Sequence, residues 1–286
     1  MDYVIKNGLL EASFNLKGAE LKSLIYNGNE YMLNDEKYWG YTSPLLFPVI
    51  GKLVNGFTII DGIKYEIPKH GIMRNAKFEL LNKTDNEIKF IFKSNEETLK
   101  IYPYQFDLIL TYKLEDKKLL SKIEVVNNDI KPMYFNLGLH PAFILKDNFE
   151  SYKIEFEKSE NTMLPTVESN GTINFEKIDR ELKVEKYMPL KYEDYKVDAV
   201  ILRNCESRNV SLLNENNKGI KFNFEGFNTV AFWTPNNLNS PFICIEPWIG
   251  YASKTQDSDE FLEKDYLIEL KENKKTELNY YFELID

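Results

Sequence analysis

Short segments in which apolar and polar residues alternate run along most of this chain, and they constrain its fold more than any other feature. The 18 Tyr and 19 Phe are concentrated in these segments, and such alternation is typical of half-buried strands. The clearest pair occupies residues 57–60 and 63–67, joined by Asp61 and Gly62. Because Asp-Gly readily takes the positive φ angles of a type I′ turn, we predict a β-hairpin here.

The same pattern predicts many strands and few helices. Strand pairs are predicted at 77–81 with 87–93, and at 106–114 with 119–127. Further strands are predicted at 152–156, 199–203, 210–213, 220–224, 229–233, 242–245 and 278–284. Short helices are predicted at 96–101 and 258–266. Many strands joined by short polar turns, without a βαβ rhythm or a fixed-period repeat, predict a large antiparallel sandwich or barrel.

Composition narrows the class of protein. No linker or low-complexity tract interrupts the chain, so residues 1–286 are predicted to form one domain. The formal net charge of −9, with no basic stripe, argues against nucleic acid as a partner. The N-terminus resembles no secretory signal, and no stretch approaches 18 uninterrupted apolar residues. We therefore expect a cytoplasmic protein that does not contact a membrane.

The two cysteines, Cys205 and Cys244, are far apart and form no CxxC motif. Their spacing argues against a disulfide framework or a zinc site. No HExxH or other paired-ligand spacing is present either. We therefore predict ordinary buried thiols and no metal site.

Only two histidines occur in the chain. Gly71 directly after His70 allows a turn that would hold the imidazole at the rim of a site; the alternative is a loop histidine without a role. If the segment around His140 is extended, Asn136, Gly138 and His140 share one face and apolar side chains take the other. A ligand could lie across the glycine gap, with Asn136 as a contact; the alternative is a core histidine bonded to backbone.

Glu246 follows a predicted strand, on the same face as Phe242, Cys244 and Trp248. A carboxylate among apolar neighbours is costly to desolvate, so it should be hydrogen bonded or functional; the alternative is a Glu that reaches water at the strand end. Trp248 favours function, since an aromatic ring beside a carboxylate is how proteins hold a sugar. Both His140 and Glu246 precede a proline, which favours an extended backbone at each.

His70, His140 and Glu246 are sufficient for proton transfer near neutral pH, because unperturbed His and Glu titrate at about 6.5 and about 4.3. A nucleophilic triad is not predicted. No GxSxG motif exists, and neither cysteine is near a histidine in sequence.

Five segments follow one another in a recognisable order. They are SPLLFPVIGKL at 43–53, PKHGIMR at 68–74, YPYQF at 102–106, GLHPAF at 138–143 and IEPWIG at 245–250. This ordered set resembles the aldose 1-epimerases, most closely their LacX-like branch. The resemblance implies an all-β, galactose mutarotase-like antiparallel β-supersandwich with a pyranose on its concave face. It also implies an enzyme that interconverts the α and β anomers of an aldohexose by acid–base catalysis, without a cofactor.

The resemblance implies roles for individual residues as well. Glu246 matches the general base that removes the proton of the C1 hydroxyl, and His140 matches the acid that protonates the ring oxygen. His70 matches a second histidine, which holds and polarises the ring-oxygen side. Asp198, in VDAV at 197–200, matches an acid that binds sugar hydroxyls, and the alternative is a surface Asp.

One position departs from the family. Many members carry Gly-Arg where this chain has Gly51 and Lys52, and lysine offers a point charge in place of a bidentate fork. Lys52 and Arg74 are predicted to bind the substrate, either a neutral sugar or a sugar phosphate. The alternatives are therefore a hexose-6-phosphate 1-epimerase, or a non-catalytic carbohydrate-binding protein on the same fold. The sequence specifies neither the sugar nor an oligomeric state.

Overall fold

The computed structural model describes residues 3–235 and 239–286, and its strands pair in antiparallel fashion. The strands, labelled in chain order, are β1 (Tyr3–Lys6), β2 (Leu10–Phe14), β3 (Leu21–Tyr26), β4 (Asn29–Glu30), β5 (Leu45–Leu46), β6 (Thr58–Ile60), β7 (Ile63–Tyr65), β8 (Glu79–Lys83), β9 (Glu87–Lys93), β10 (Phe106–Glu115), β11 (Lys118–Asn127), β12 (Met133–Phe135), β13 (Leu137–Leu139), β14 (Ala142–Ile144), β15 (Lys153–Phe156), β16 (Glu160–Val167), β17 (Ile173–Val184), β18 (Tyr187–Pro189), β19 (Val200–Arg203), β20 (Asn209–Leu213), β21 (Gly219–Asn223), β22 (Thr229–Trp233), β23 (Phe242–Ile249), β24 (Ile268–Leu270) and β25 (Lys275–Ile285).

Two large sheets carry the fold. The larger has nine strands in the order β18-β15-β20-β21-β25-β11-β10-β9-β8. The second has six strands in the order β19-β22-β23-β13-β5, with β14 also paired to β23. The smaller sheets are β1-β2-β3-β4, β6-β7, β12-β24 and β16-β17. The predicted antiparallel sandwich is thus confirmed.

Helical structure is brief. The helix α1 (Glu96–Leu99) is capped at its N-terminus by Asn95, whose side chain accepts from the backbone N–H groups of Glu97 and Thr98. Single 3-10 turns cover Met73–Asn75, Phe149–Ser151, Tyr192–Tyr195 and Phe261–Glu263. Within the two described ranges, no helix has the length and apolar character needed to cross a membrane.

The predicted helix at 258–266 is wrong. Only Phe261–Glu263 turns there, as a 3-10 helix. The Asp259 carbonyl accepts from the Ile59 N–H at 2.7 Å and from the Thr58 hydroxyl, also at 2.7 Å. These bonds tie the segment to β6, so pairing with a distant strand replaces the local helical bonds.

The predicted hairpins are confirmed with small changes at their ends. In β6–β7, Asp61 and Gly62 have φ angles of 52° and 75°, as a type I′ turn requires. The long hairpin β10–β11 pairs from Phe106 opposite Asn127 to Glu115 opposite Lys118. Local alternation and turn chemistry were sufficient at both places.

The main hydrophobic core lies between the two large sheets. Phe143 of β14 meets Phe282 of β25 edge to face, with ring centroids 5.2 Å apart, a favourable arrangement for aromatic pairs. In β23, Ile243 and Ile245 enter this core. Alternation turns Glu246 and its same-face neighbours away from the core, and the candidate site forms on that face.

Candidate active site

The register of the six-stranded sheet brings His140 opposite Glu246. Strands β13 and β14 both pair with β23, and the pairing is interrupted between them, at His140 and Pro141. Gly138 pairs with Trp248 on one side of the interruption, and Ala142 pairs with Cys244 on the other. The register is therefore the same on both sides, and it places His140 directly across from Glu246.

The two side chains are in contact. His140 Nε2 lies 3.0 Å from Glu246 Oε2, and the residues are 7% and 2% exposed. Burial is the main cause that raises the pKa of the Glu246 carboxyl well above its usual range, and the nearby Asp198 adds to the effect. Burial is also the main cause that lowers the pKa of His140 well below its usual range, and electrostatic repulsion between the two imidazoles, if both were protonated, acts in the same direction. Both groups therefore favour their neutral forms.

His70 faces His140 across the site, with ring centroids 5.6 Å apart and planes at 82°. Its backbone has a φ of 65°, a left-handed conformation that is uncommon for non-glycine residues but that His adopts more readily than most. The His70 N–H donates to the Gly51 carbonyl at 2.7 Å, and the Gly51 N–H donates to His70 Nδ1 at 3.1 Å. Since Nδ1 accepts, the neutral imidazole carries its proton on Nε2.

The His70 imidazole stays neutral at physiological pH. Burial lowers its pKa to about 3, and the charges of Lys69 and Arg74 act in the same direction. A neutral imidazole with its proton on Nε2 is a hydrogen-bond donor that does not give the proton up. His70 can therefore donate a hydrogen bond through Nε2, whereas Nε2 of His140 contacts the Glu246 carboxyl.

All three tryptophans of the chain line the same cavity as the two histidines. The Trp39 ring stacks on the His140 imidazole, with centroids 4.5 Å apart, and the Trp233 ring meets it edge to face at 5.9 Å. Neither Trp39 nor Trp233 was predicted from the sequence. Their rarity in the chain is the signal that could have identified them.

The cavity has a volume of about 240 Å³. Drug-sized ligands occupy pockets of about 300–1,000 Å³, so this cavity suits a smaller molecule. Its charged lining residues are Lys69, Arg74 and Asp198, and the neutral carboxyl of Glu246 lines it as well. The guanidinium of Arg74 lies 5.0 Å from the centre of the Tyr41 ring, and its Nε has no hydrogen-bond partner among the described residues. The surface is polar, aromatic and of mixed charge, as a sugar site requires.

The family follows from comparison with known proteins. The family model for aldose 1-epimerase matches residues 1–283. The chain belongs to the aldose 1-epimerase family. Protein LacX, chromosomal, from Lactococcus lactis subsp. lactis is 30% identical over 276 residues, which are 91% of each chain. The predicted resemblance, including its LacX-like branch, is confirmed.

Solved structures share the fold of this aldose 1-epimerase family member. A galactose mutarotase related enzyme from Lactobacillus acidophilus superposes with a TM-score of 0.93 at 26% identity, covering 100% of this chain and 98% of that one. A galactose mutarotase-like protein from Lactobacillus casei gives a TM-score of 0.91 at 27% identity, covering 99% and 100%. The predicted all-β, galactose mutarotase-like supersandwich is confirmed.

The structure does not bring two of the predicted substrate contacts to the cavity of this aldose 1-epimerase family member. Lys52 is exposed, and the cavity lining passes from Gly51 to Lys69 without it. Asn136 is fully buried, and its side-chain Nδ2 donates to the backbone carbonyls of Asp265 and Tyr266, at 3.3 and 3.1 Å. The side chain of Asn136 therefore holds the loop at Asp265 and Tyr266 in place. Strand alternation predicts the face on which a side chain lies, but it does not predict which groups that side chain contacts.

The predicted glycine gap is filled by protein. A Cβ on Gly138 would lie 2.6 Å from Cδ1 of Trp248, a separation that real Cβ atoms do not show. The indole of Trp248 thus lies across the gap, where a ligand had been expected. Trp248 itself lines the cavity, and its indole can lie in this position because Gly138 has no side chain.

Cys244 lies beside the catalytic candidates in this aldose 1-epimerase family member. One ligand atom each from His140, Cys244 and Glu246 lie within 4.8 Å of one another, and all three residues are buried. The spacing of these residues in the sequence predicts no metal site. The cluster is invisible to spacing, since it arises from pairing between strands about one hundred residues apart.

Proposed function

We propose that this protein interconverts the α and β anomers of an aldohexose by general acid–base catalysis, without a cofactor. The observation that carries the proposal is the 3.0 Å contact between His140 Nε2 and Glu246 Oε2 at the wall of a sugar-sized cavity. Membership of the aldose 1-epimerase family supports the same reaction class.

The contacting pair can act as one unit that holds one proton. Burial disfavours both charges, so the resting pair is a protonated carboxyl beside a neutral imidazole. Transfer of that proton across the contact gives a carboxylate beside an imidazolium, which are a base and an acid side by side. The ring oxygen and the C1 hydroxyl of a pyranose are bonded to the same carbon. A base and an acid this close together can therefore reach both groups at once.

The reaction then balances without a cofactor. Glu246 takes the proton of the C1 hydroxyl while His140 gives its proton to the ring oxygen, and the bond between C1 and that oxygen breaks. The open-chain aldehyde rotates about the C1–C2 bond. Closure on the other face reverses both proton transfers and restores the original state of the pair. A positioned group of this kind contributes about 10²–10⁴-fold to the rate.

His70 supports the ring-oxygen side as a fixed donor. Its Nδ1 is occupied by the Gly51 N–H, so Nε2 carries the hydrogen that can bond to the substrate. The pKa of about 3 keeps this imidazole neutral. His140, in contrast, contacts a carboxyl group that can supply a proton. Acid catalysis is therefore assigned to His140 and polarisation to His70.

Hydroxyl recognition is assigned to the remaining lining residues. Asp198 and Arg74 supply an acceptor and a donor, and Trp248 supplies an aromatic face. Lys69 and Arg74 together make one side of the cavity basic, which favours a hexose 6-phosphate as the second candidate substrate.

The deciding experiment is two-dimensional NMR exchange spectroscopy on aldoses and their 6-phosphates, with wild-type protein and the Glu246→Gln and His140→Ala variants. We expect accelerated anomer exchange that both variants lose. For a phosphate substrate, Lys69→Ala and Arg74→Ala should raise KM for the phosphate far more than for the parent sugar, and added salt should do the same. Lys52→Ala is the matched control, because that side chain lies outside the cavity.

Calorimetry on the same sugars separates catalysis from binding alone. Sugar binding without any acceleration of anomer exchange would show a non-catalytic carbohydrate-binding protein, and the proposed reaction would then be wrong.

A further inference from the structure

The cluster of Cys244, His140 and Glu246 has a composition that neither the acid–base reaction nor the family resemblance requires. We propose that these three side chains form a binding site for a thiophilic divalent cation, with Zn²⁺ as the physiological candidate. An ion bound there would occupy both halves of the proton-transfer pair and stop turnover.

The backbone places the three side chains on one face. Cys244 and Glu246 are two residues apart on β23, so their side chains project from the same side of the strand. His140 lies opposite Glu246 in the neighbouring strand register. One ligand atom from each lies within 4.8 Å of the other two. The exposed fractions are 0%, 2% and 7% for Cys244, Glu246 and His140.

A thiolate, an imidazole and a carboxylate are the ligand types that Zn²⁺ takes in proteins, at about 2.0–2.3 Å. Those bond lengths put neighbouring ligand atoms of a tetrahedral site roughly 3.3–3.6 Å apart. The longest separation in the cluster, up to 4.8 Å, must therefore shorten by about 1.2–1.5 Å, and the 3.0 Å contact between His140 and Glu246 must open by about 0.3–0.6 Å. The fourth position would be open to the cavity that His140 and Glu246 line, where water can complete the coordination.

The environment of His140 favours reversible binding of the ion over permanent binding. His140 Nδ1 is buried, and in residues 3–235 and 239–286 it has no hydrogen-bond partner. Metal-binding histidines normally donate this second N–H to a fixed acceptor, and loss of such a partner costs about 10–100-fold in affinity. The site should therefore bind Zn²⁺ reversibly, in competition with the sugar.

The ligand set also defines which ions are excluded. Mg²⁺ and Ca²⁺ prefer oxygen ligands in larger numbers, whereas this cluster supplies one carboxylate. Cd²⁺ and Co²⁺ should bind at the same site as Zn²⁺, since thiolate and imidazole suit softer ions.

Cys205 provides a matched control. Its Sγ contacts Glu160 at 3.3 Å, and both histidines of the chain lie in the cavity instead. Among the described residues, the cluster at Cys244 is the one group of three potential ligands. If metal binding required only a buried thiol, substitution of Cys205 and substitution of Cys244 would weaken it equally. If it requires the cluster, only substitution of Cys244 should weaken it.

Binding can be measured without turnover. Metal-free protein is titrated with Zn²⁺ by calorimetry and with Co²⁺ by absorbance, where a thiolate–cobalt charge-transfer band reports the Cys244 ligand. We expect one ion per chain. The Cys244→Ser and Cys244→Ala variants should lose the band and at least tenfold in Zn²⁺ affinity, whereas Cys205→Ser should match wild type and Mg²⁺ should give no signal. Circular dichroism confirms that each variant is folded.

Inhibition is then measured by anomer exchange, each protein being compared with its own metal-free rate. Wild type and Cys205→Ser should be inhibited by Zn²⁺ at the concentrations that bind, and excess sugar should relieve the effect. Equal Zn²⁺ affinity in wild type and both Cys244 variants, the absence of binding, or binding that leaves exchange unaffected would each overturn the proposal. Since the titrations need no substrate, a failure of the proposed reaction would be seen separately.

Discussion

Glu246→Gln tests the proton-sharing pair most directly. Glutamine keeps the shape of the side chain but cannot accept a proton. Its amide can still donate to His140 Nε2 across the 3.0 Å contact, and that bond would hold the imidazole in its neutral form. The single change therefore removes the base and also removes the source of the acid's proton.

The size of the effect follows from this coupling. One positioned proton-transfer group is worth about 10²–10⁴-fold, or about 3–5 kcal/mol of barrier. Independent contributions from Glu246 and His140 would multiply to about 10⁴–10⁸-fold in a double variant. Because the two groups share one proton, we expect Glu246→Gln combined with His140→Ala to fall within about tenfold of the slower single variant.

Glu246→Gln should slow anomer exchange but should not lower the stability of the fold. Because burial raises the folded-state pKa of the Glu246 carboxyl, the stability it contributes is present below its unfolded pKa and is lost as pH rises. At pH 7 the residue therefore costs stability, and Glu246→Gln should unfold at the same urea concentration as wild type or a higher one.

The assay is polarimetry or NMR exchange on a verified substrate, with urea unfolding measured on the same preparations. Glu124→Gln is the matched control, since Glu124 is also buried but lies on β11, where it pairs with Lys122 at 3.0 Å. It should retain wild-type exchange. An exchange rate for Glu246→Gln within about threefold of wild type would refute the catalytic assignment, and multiplicative losses in the double variant would refute the shared proton.

Three further predictions concern the supporting residues. The low pKa of His70 contributes stability that is complete above about pH 6.5 and is lost towards pH 3. Urea unfolding at pH 7 and 4.5 should therefore show wild type losing about 2.5 kcal/mol more than His70→Asn; equal losses would contradict this. Gly138→Ala should displace Trp248, costing about 1–3 kcal/mol and much of the exchange activity, whereas Gly40→Ala, which meets nothing within 4 Å, should resemble wild type. Asn136→Ala should lower the free energy of unfolding by about 1–3 kcal/mol with little change in KM; a raised KM at unchanged stability would show a substrate contact.

Local pattern was sufficient where a strand has one buried face. β10 and β21 alternate between buried and half-buried residues, and both begin and end within one residue of their predicted bounds. The hairpin β16–β17 was missed, because β17 is exposed or half-buried everywhere except at its two ends and forms only a two-stranded sheet. Its sequence has no reason to alternate, so the periodicity that marks a half-buried strand is absent.

Proline gave a misleading boundary in the strand that carries Glu246. The predicted strand ends at residue 245, two residues before Pro247, but β23 continues to Ile249. The Ile245 N–H donates to the Pro141 carbonyl at 3.2 Å, so Pro247, two residues later, directs its nitrogen to the same side. The pairing of β13 with β23 ends at Gly138 and Trp248, so Pro247 is not part of that ladder on this side.

The sequence by itself determined the strand-rich fold, the family, and the three residues proposed to move or direct protons, because turns, alternation and rare residue types are local properties. Only the tertiary structure decided that His140 contacts Glu246, that His70 carries its proton on Nε2, that Trp39 stacks on His140, and that Cys244 joins the pair. Each of these contacts depends on the register between segments about twenty to one hundred residues apart. Register is set by the packing of whole sheets, and no single segment contains that information.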